Sequence, residues 1–332
     1  MKYIIDGHYD ILMDVAARRK KGERQVIRRR YYPAFQKGGV TGIVSSIFVD
    51  SQYLPYGALS VAMEQISALH CEIEETPDLL MLCTSADDFL RAAETGKIGF
   101  LLSFEGAEPV SSCLLLHGFY AAGVRGLGLA WSRRNAAADG CDFSGSLKKG
   151  GLTEFGRELV KEAEDLHMIL DLSHLSDEGV EDVLSIISCP VIASHSNSRT
   201  VAGSNRNLTD CQMREIASRG GTVGLNGCSL LTAGPGVSPD QNGLTAHLDH
   251  MTEIMGEDHV AFGFDFCDSF FADDLSSSTD QMPERPFDIL SGAHEDLPAF
   301  LDHLRQHGYT ESHLAKLAGE NWLHTFRHIL KH

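Results

Sequence analysis

The feature that most constrains this chain is a recurrence. Eight short apolar segments, at residues 2–8, 40–48, 98–104, 124–130, 168–174, 190–195, 222–227 and 259–265, alternate with stretches patterned as helices. Segments this short and this apolar read as fully buried strands. Strand and helix in alternation imply parallel pairing through right-handed crossovers. Eight such units, with neither a Gly-rich dinucleotide turn nor a phosphate loop, point to an α/β fold, a closed (β/α)8 TIM-like barrel, over an open sheet. The spacers carry helical signals. Residues 57–75 hold apolar groups at three- and four-residue spacing, and Ser85 is placed to cap a helix over 85–94. Residues 153–166 put Phe155, Leu159, Ala163 and Leu166 on one stripe. Further helices are expected near 178–187, 210–218, 244–256, 296–307 and 311–330. The chain's 332 residues fit one such barrel domain, residues 1–332, with C-terminal helices.

Composition narrows the function classes. Twenty-eight Lys and Arg stand against 46 Asp and Glu, a formal charge of −18. Nucleic acid is thereby disfavoured as a partner, because its binding depends on neutralising phosphates. The basic run from Arg18 to Arg30 is the exception, and it reads as a solvated loop or helix face. No apolar run approaches the roughly 18–20 residues of a membrane span. A candidate ligand already at His8 leaves no room for a cleavable leader, and WLHTFRHILKH carries no apolar anchor. A cytoplasmic protein without membrane contact is expected. Eight scattered cysteines with no CxxC suit reduced thiols better than a disulfide framework.

The chemistry is concentrated where apolar segments break into loops. His8 and Asp10 end the first segment and, two residues apart in extended backbone, would face one side and chelate one ion. Glu105 follows Leu101, Leu102, Ser103 and Phe104, where a carboxylate is costly to bury unpaired. One metal, or two bridged by its two oxygens, removes that cost. His174 ends LDLSH and His195 ends VIASH, on consecutive segments, so the two imidazoles should share an ion such as zinc. Asp265 ends the last segment, beside the first in a closed barrel, as a metal ligand or as the general base. Asp268 is the weaker alternative. Arg206, after the sixth segment, suits a substrate carboxylate. In barrels of this class the active site lies at the C-terminal strand ends, where all of these residues fall. The C-terminal histidines, His294, His303, His307, His313, His324, His328 and His332, read as solvated. Asp6 has the parity of His8 one step deeper, as a supporting group. The long stretches 132–151 and 266–294 would cover the barrel mouth.

With these residues in view, the chain resembles the membrane (renal) dipeptidase family of dinuclear zinc peptidases. The motifs are DGHYD, SFEG, GLTEFGRELV, LDLSHLSD, SHSNSR, NRN and GFDF, and the similarity extends to GENWLHTF. None is specific alone; their order and spacing are. The resemblance implies a (β/α)8 barrel with two zinc ions per chain. His8 and Asp10 would hold one, His174 and His195 the other, and Glu105 would bridge them. It implies Arg206 as the substrate-binding arginine and Asp265 as the proton-transferring aspartate. One departure falls after the 124–130 segment. There the family has a substrate-contacting histidine and this chain has Trp131, with Asn135 or Arg134 to supply the polar contact. The resemblance also implies a homodimer.

The expected reaction is hydrolysis of L,L and L,D dipeptides by a zinc-activated hydroxide. A related amidohydrolase acting on N-acyl amino acids or cyclic amides is the alternative, and only a dipeptidase would require a free amine. A non-catalytic protein on an inherited barrel is the third reading. Its signature would be a lost ligand, and all five are present.

Overall fold

The computed structural model describes residues 1–142, 150–271 and 286–331. Nine parallel strands are formed: β1 (Ile5–Tyr9), β2 (Gly42–Phe48), β3 (Leu80–Leu82), β4 (Ile98–Glu105), β5 (Val124–Gly128), β6 (Ile169–Asp171), β7 (Ile192–Ala193), β8 (Thr222–Leu225) and β9 (Val260–Phe262). Eight of them run β1-β2-β4-β5-β6-β7-β8-β9 around a nearly closed barrel, and each falls on one of the eight segments expected from the sequence, β1 and β4 running one residue past theirs. The ninth, β3, pairs only with the start of β4, at Ile98–Phe100, while β5 takes its later residues, Leu102–Glu105. β1 and β9 share no ladder among the described residues. Two bonds join them instead: Asp265 N–H to His8 O at 3.3 Å, and Phe264 N–H to Asp6 Oδ1 at 2.9 Å.

The helices start where the sequence supplies caps. Ser85 and Asp88 form a reciprocal capping box before Ala86–Glu94, and Thr209 with Gln212 does the same before Asp210–Ser218. Thr153 caps Glu154–Asp165, whose Leu159 and Ala163 are buried. The helices Ile11–Lys20, Tyr32–Gly38 and Cys113–Ala121 were not anticipated. Their polar and apolar residues make no clear stripe. The expected 311–330 helix is broken into Glu311–Ala315, Lys316–Glu320 and Asn321–Ile329. The break falls at Gly319, packed against Tyr3 and Ile5 at the start of β1.

That break directs Trp322 into the barrel. Trp322 is fully buried with Ile5, Val44, Leu101, Ile169, Ile192 and Ala261, one from each of six strands. Its indole N–H donates to Phe262 O at 2.8 Å. A Cβ on Gly7 would fall 2.4 Å from the indole ring, so only glycine fits there. This plug fills one end of the barrel and leaves the other, at the C-terminal strand ends, for polar groups.

The basic run is exposed at Lys20, Lys21, Arg24, Arg29 and Arg30, as expected, and needs correction at Arg18 and Arg19. Arg18 is buried and donates to Asp14 at 2.6 Å. Arg19 forks onto Glu75 at 2.6 and 3.0 Å and pairs with Glu72. Both glutamates come from the helix Ala58–Glu75, so Arg19 joins two helices, while Arg18 is buried on a partner in its own helix. Among the described residues no helix is long and apolar enough to cross a membrane.

Candidate active site

Six chemically active side chains meet at the strand ends. Glu105, the last residue of β4, extends Oε1 toward His174 Nε2 (2.9 Å) and His195 Nε2 (3.5 Å). Its Oε2 lies 3.6 Å from His8 Nε2. His8 Nε2 is also 3.6 Å from Asp10 Oδ1 and 3.9 Å from Asp265 Oδ1. His8 and Asp10 therefore meet as expected, though not by extended alternation. Asp10 has φ −79° and ψ 23° and begins the helix Ile11–Lys20, and the β1 register slips between Asp6 and Tyr9. The Asp6 carboxylate accordingly meets backbone amides, of His8 and of Phe264 on the β9 side, and none of the clustered side chains.

The supporting groups set tautomers. Ser194 Oγ donates to Asp171 Oδ2, so toward His195 Nδ1, at 2.6 Å, it can only accept. His195 Nδ1 therefore carries the proton and Nε2 presents its lone pair. His174 Nδ1 meets Ser132 Oγ at 2.8 Å. The two Nε2 atoms then stand 2.9 Å apart. Glu105 Oε1 lies 2.9 Å from His174 Nε2, so two imidazole nitrogens and a carboxylate oxygen converge as the ligands of one cation would. His8 Nε2 and Glu105 Oε2 are buried without any hydrogen-bond partner. Buried polar atoms left unpaired are costly and signal a missing ligand. Imidazole nitrogens and carboxylate oxygens in this number fit one or more divalent metals. The geometry permits metal-holding triads at His8–Asp10–Glu105, at Glu105–His174–His195 and at His8–His195–Asp265.

The electrostatics agree. Burial, and then the cationic Arg206 and His8, hold His174 and His195 well below the ordinary histidine range. Burial first, then the charge of Asp10, pushes Glu105 up to about 8. Burial raises Asp265 to about 6. At His8, burial works against the proton, but Glu105 and Asp10 outweigh it and raise the group well above its usual value. Three non-glycine residues at the site, Ser132, His174 and Asp265, adopt φ of 41°, 68° and 59°. Left-handed backbone costs an L-residue about 1–3 kcal/mol and persists where surroundings over-determine it.

The remaining residues divide. Arg206 is buried, with its fork on Ser196 Oγ and His195 O, both at 2.7 Å, and no acidic side chain within ion-pair reach among the described residues. Trp131 stands edge-on to Phe48 (5.0 Å between centroids) and 5.9 Å from the His174 ring, under the Arg133 guanidinium. Asn135 is a correction. Its amide donates to Leu129 O at 2.7 Å and its oxygen accepts from the Ala137 and Ala138 N–H groups. These three bonds engage it in building its own loop. Arg134 likewise pairs with Asp139. Asp268 spends its carboxylate on the Phe287 and Asp288 N–H groups. His294, read as solvated, is 1% exposed and bonded to Asp6. Residues 143–149 and 272–285 of the two mouth-covering stretches lie outside the described residues. Sequence reasoning also missed Ser132, Asp171, Ser194 and Asn226. The repeated Ser-His ending could have found Ser194, and the polar end of TVGLNG could have found Asn226.

A parallel barrel whose strand ends gather three imidazoles and three carboxylates around unpaired buried atoms is the frame of a metal-dependent hydrolase. The chain belongs to the membrane dipeptidase family, peptidase family M19, which it matches over residues 2–331, and is by class a metallo-dipeptidase. An uncharacterised Klebsiella pneumoniae protein from the pqqA 5′ region is 32% identical over 83% of this chain and 98% of its own. Dipeptidase verJ of Clonostachys rogersoniana is 31% identical over 66% of this chain and 55% of its own. A Rhodobacter sphaeroides metallopeptidase, solved with a phosphinate mimic of the dipeptide L-Ala-D-Ala, shares the fold with a TM-score of 0.83. It is 29% identical over 98% of this chain and 99% of that chain.

Proposed function

We propose that the site holds two zinc ions and cleaves the peptide bond of free dipeptides, L,L and L,D. The observation that carries this reading is the pair of unpaired buried atoms, His8 Nε2 and Glu105 Oε2, beside the converging His174 and His195. His8 and Asp10 would hold one ion, His174 and His195 the other, with one Glu105 oxygen toward each. Bound there, the ions supply Lewis acidity, which polarises a carbonyl and makes water acidic enough to attack near neutral pH. Asp265 acts as the proton acceptor. Its Oδ2 is fixed by the Asn226 amide at 3.0 Å, and a carboxyl raised to about 6 both takes and returns a proton near neutrality. Arg206, without an acidic partner among the described residues, receives the C-terminal carboxylate of the dipeptide. Trp131 and Phe48 form an apolar wall beside His174. The dipeptide mimic bound by the Rhodobacter sphaeroides relative supports tolerance of a D-residue. A homodimer and a cytoplasmic location complete the reading, and eight free cysteines are in keeping with the latter.

The test measures metal content together with hydrolysis of a small L,L and L,D panel before and after chelation, for the wild type and Asp265→Asn. About two zinc ions and chelator-sensitive cleavage are expected. The variant should lose about 10²–10⁴-fold in kcat while the His174–His195 ion is retained. Metal without dipeptide cleavage would overturn the substrate assignment, and an Asp265→Asn enzyme of undiminished kcat would overturn the proton role.

A further inference from the structure

His294 is a histidine that neither the metal ligands nor the substrate contacts use, yet it is as buried as any of them. Its Nε2 lies 2.8 Å from Asp6 Oδ2, and both side chains are 1% exposed. Its ring is walled by the edges of Tyr9 (4.8 Å), Phe35 (5.1 Å) and Phe266 (5.0 Å). Its backbone is equally fixed. A Cβ on Gly38 would fall 2.1 Å from His294 O, so the helix Tyr32–Gly38 packs flush against it. The preceding Ala293 is held at φ 50°. Asp6 uses its other oxygen on two backbone amides, His8 N–H at 3.3 Å and Phe264 N–H at 2.9 Å.

Those amides identify what the pair does. Phe264 precedes Asp265, and His8 is a proposed metal ligand. Asp6 therefore bonds to both sides of the junction between β1 and β9, where no ladder forms among the described residues. A carboxylate held by a histidine stands in for the missing ladder bond. We propose that Asp6 and His294 are a positioning pair that clamps the β1–β9 seam and so fixes Asp265 against His8 at the first zinc position. The ligands of the second position, His174 and His195, follow strands that are joined by ladder bonds and do not depend on this clamp. The proposal rests on the two-zinc reading above, and its test separates the two.

The experiment compares wild type with His294→Phe, which keeps the aromatic packing and removes the donor, and with His294→Gln, which keeps a donor. Zinc affinity is measured by competition with a chromophoric chelator. Cobalt(II) loading assigns each position by the shifted ring protons of His8 against those of His174 and His195. His294→Phe should weaken the first position by about 10- to 100-fold and leave the second unchanged, and His294→Gln should restore most of the loss. Amide hydrogen exchange at Phe264 and Asp265 should accelerate in the Phe variant with or without metal. Unchanged affinity, or equal loss at both positions, overturns the clamp. If the wild type takes up no zinc, the two-zinc reading falls, and exchange at those two amides still decides the clamp. Should His294→Phe fail to fold, His294→Leu, smaller than the pocket, carries the same expectation.

Discussion

His174 and His195 follow β6 and β7, two strands joined by a ladder, and Glu105 closes β4 with Phe48 paired on one side and Gly128 on the other. His8, Asp10 and Asp265 face one another across a junction with no ladder among the described residues, joined by two backbone amides and the Asp6 carboxylate. The two halves differ in charge as well as in construction. Burial and Arg206 keep the His174 and His195 imidazoles neutral, ready to ligate. On the seam side, His8 and Asp265 are shifted toward keeping a proton and Asp10 toward losing one, while Glu105, which faces both halves, is raised to about 8. One half is preset for a cation. The other must shed protons to take one, and its geometry is held largely by side chains. Metal affinity in such a site is not a property of the ligand list alone, because groups behind the ligands set tautomer and distance.

Glu105 belongs to both halves, so its removal should erase the difference between them. Glu105→Gln keeps the size of the side chain and removes the charge that would bridge two ions. We expect both positions to lose metal affinity and dipeptide hydrolysis to fall about 10³-fold or more, the equivalent of about 4 kcal/mol of transition-state stabilisation. Metal analysis and kcat/KM on one dipeptide check this. A variant that kept full occupancy at the histidine half would show that the halves are independent and that Glu105 serves the seam only.

Chelation should separate the halves by pH. Glu105 moves from 4.5 to about 8 in the folded, metal-free protein, so its contribution to stability is full below 4.5 and is lost as pH rises through about 8. His8, raised well above 6.5, has the same sign. His174 and His195 are lowered, so their contribution is lost only as pH falls below 6.5. Between pH 6.5 and 8 the seam half therefore dominates. The chelated protein should lose stability across that window, and the gap in Tm between zinc-loaded and chelated protein should widen. A gap constant from pH 6.5 to 8 would mean that zinc displaces no seam protons.

The strands and ligands were legible in the sequence for one reason: strands buried on both faces are continuous apolar runs, and the polar residue that ends each run is conspicuous. β3 is only three residues, Leu80–Leu82, lies outside the barrel, and left no comparable signal. The supporting groups were illegible because an ordinary Ser or His acquires its role from a distant contact. His294 meets Asp6 across 288 residues, and nothing near position 294 distinguishes it from the exposed His307, His324 and His328 that follow. Asn135 was misassigned in the opposite direction. Its position past a strand end suggested substrate, but its amide is satisfied by Leu129, Ala137 and Ala138 within its own loop. An Asx-type turn of this kind is a local solution that competes with any external contact.

The finest contrast lies between two serines. Ser132 Oγ reaches one of the three clustered imidazoles, His174 at 2.8 Å, with Cys141 Sγ at 3.6 Å beside it, whereas Ser194 Oγ reaches His195 at 2.6 Å and His8 at 3.4 Å, one from each half. Ser132→Ala removes one hydrogen bond behind one imidazole, a loss of about 1 kcal/mol, or roughly fivefold in zinc affinity, confined to the second position. Ser194→Ala also frees Asp171 Oδ2 and removes the acceptor that fixes the His195 tautomer, so its loss should be larger and appear at both positions. Chelator competition on the two variants measures this directly. If Ser194→Ala weakened the second position alone, the 3.4 Å approach to His8 would be incidental, and the seam half would rest on Asp6 and His294 without help from the strand that carries His195.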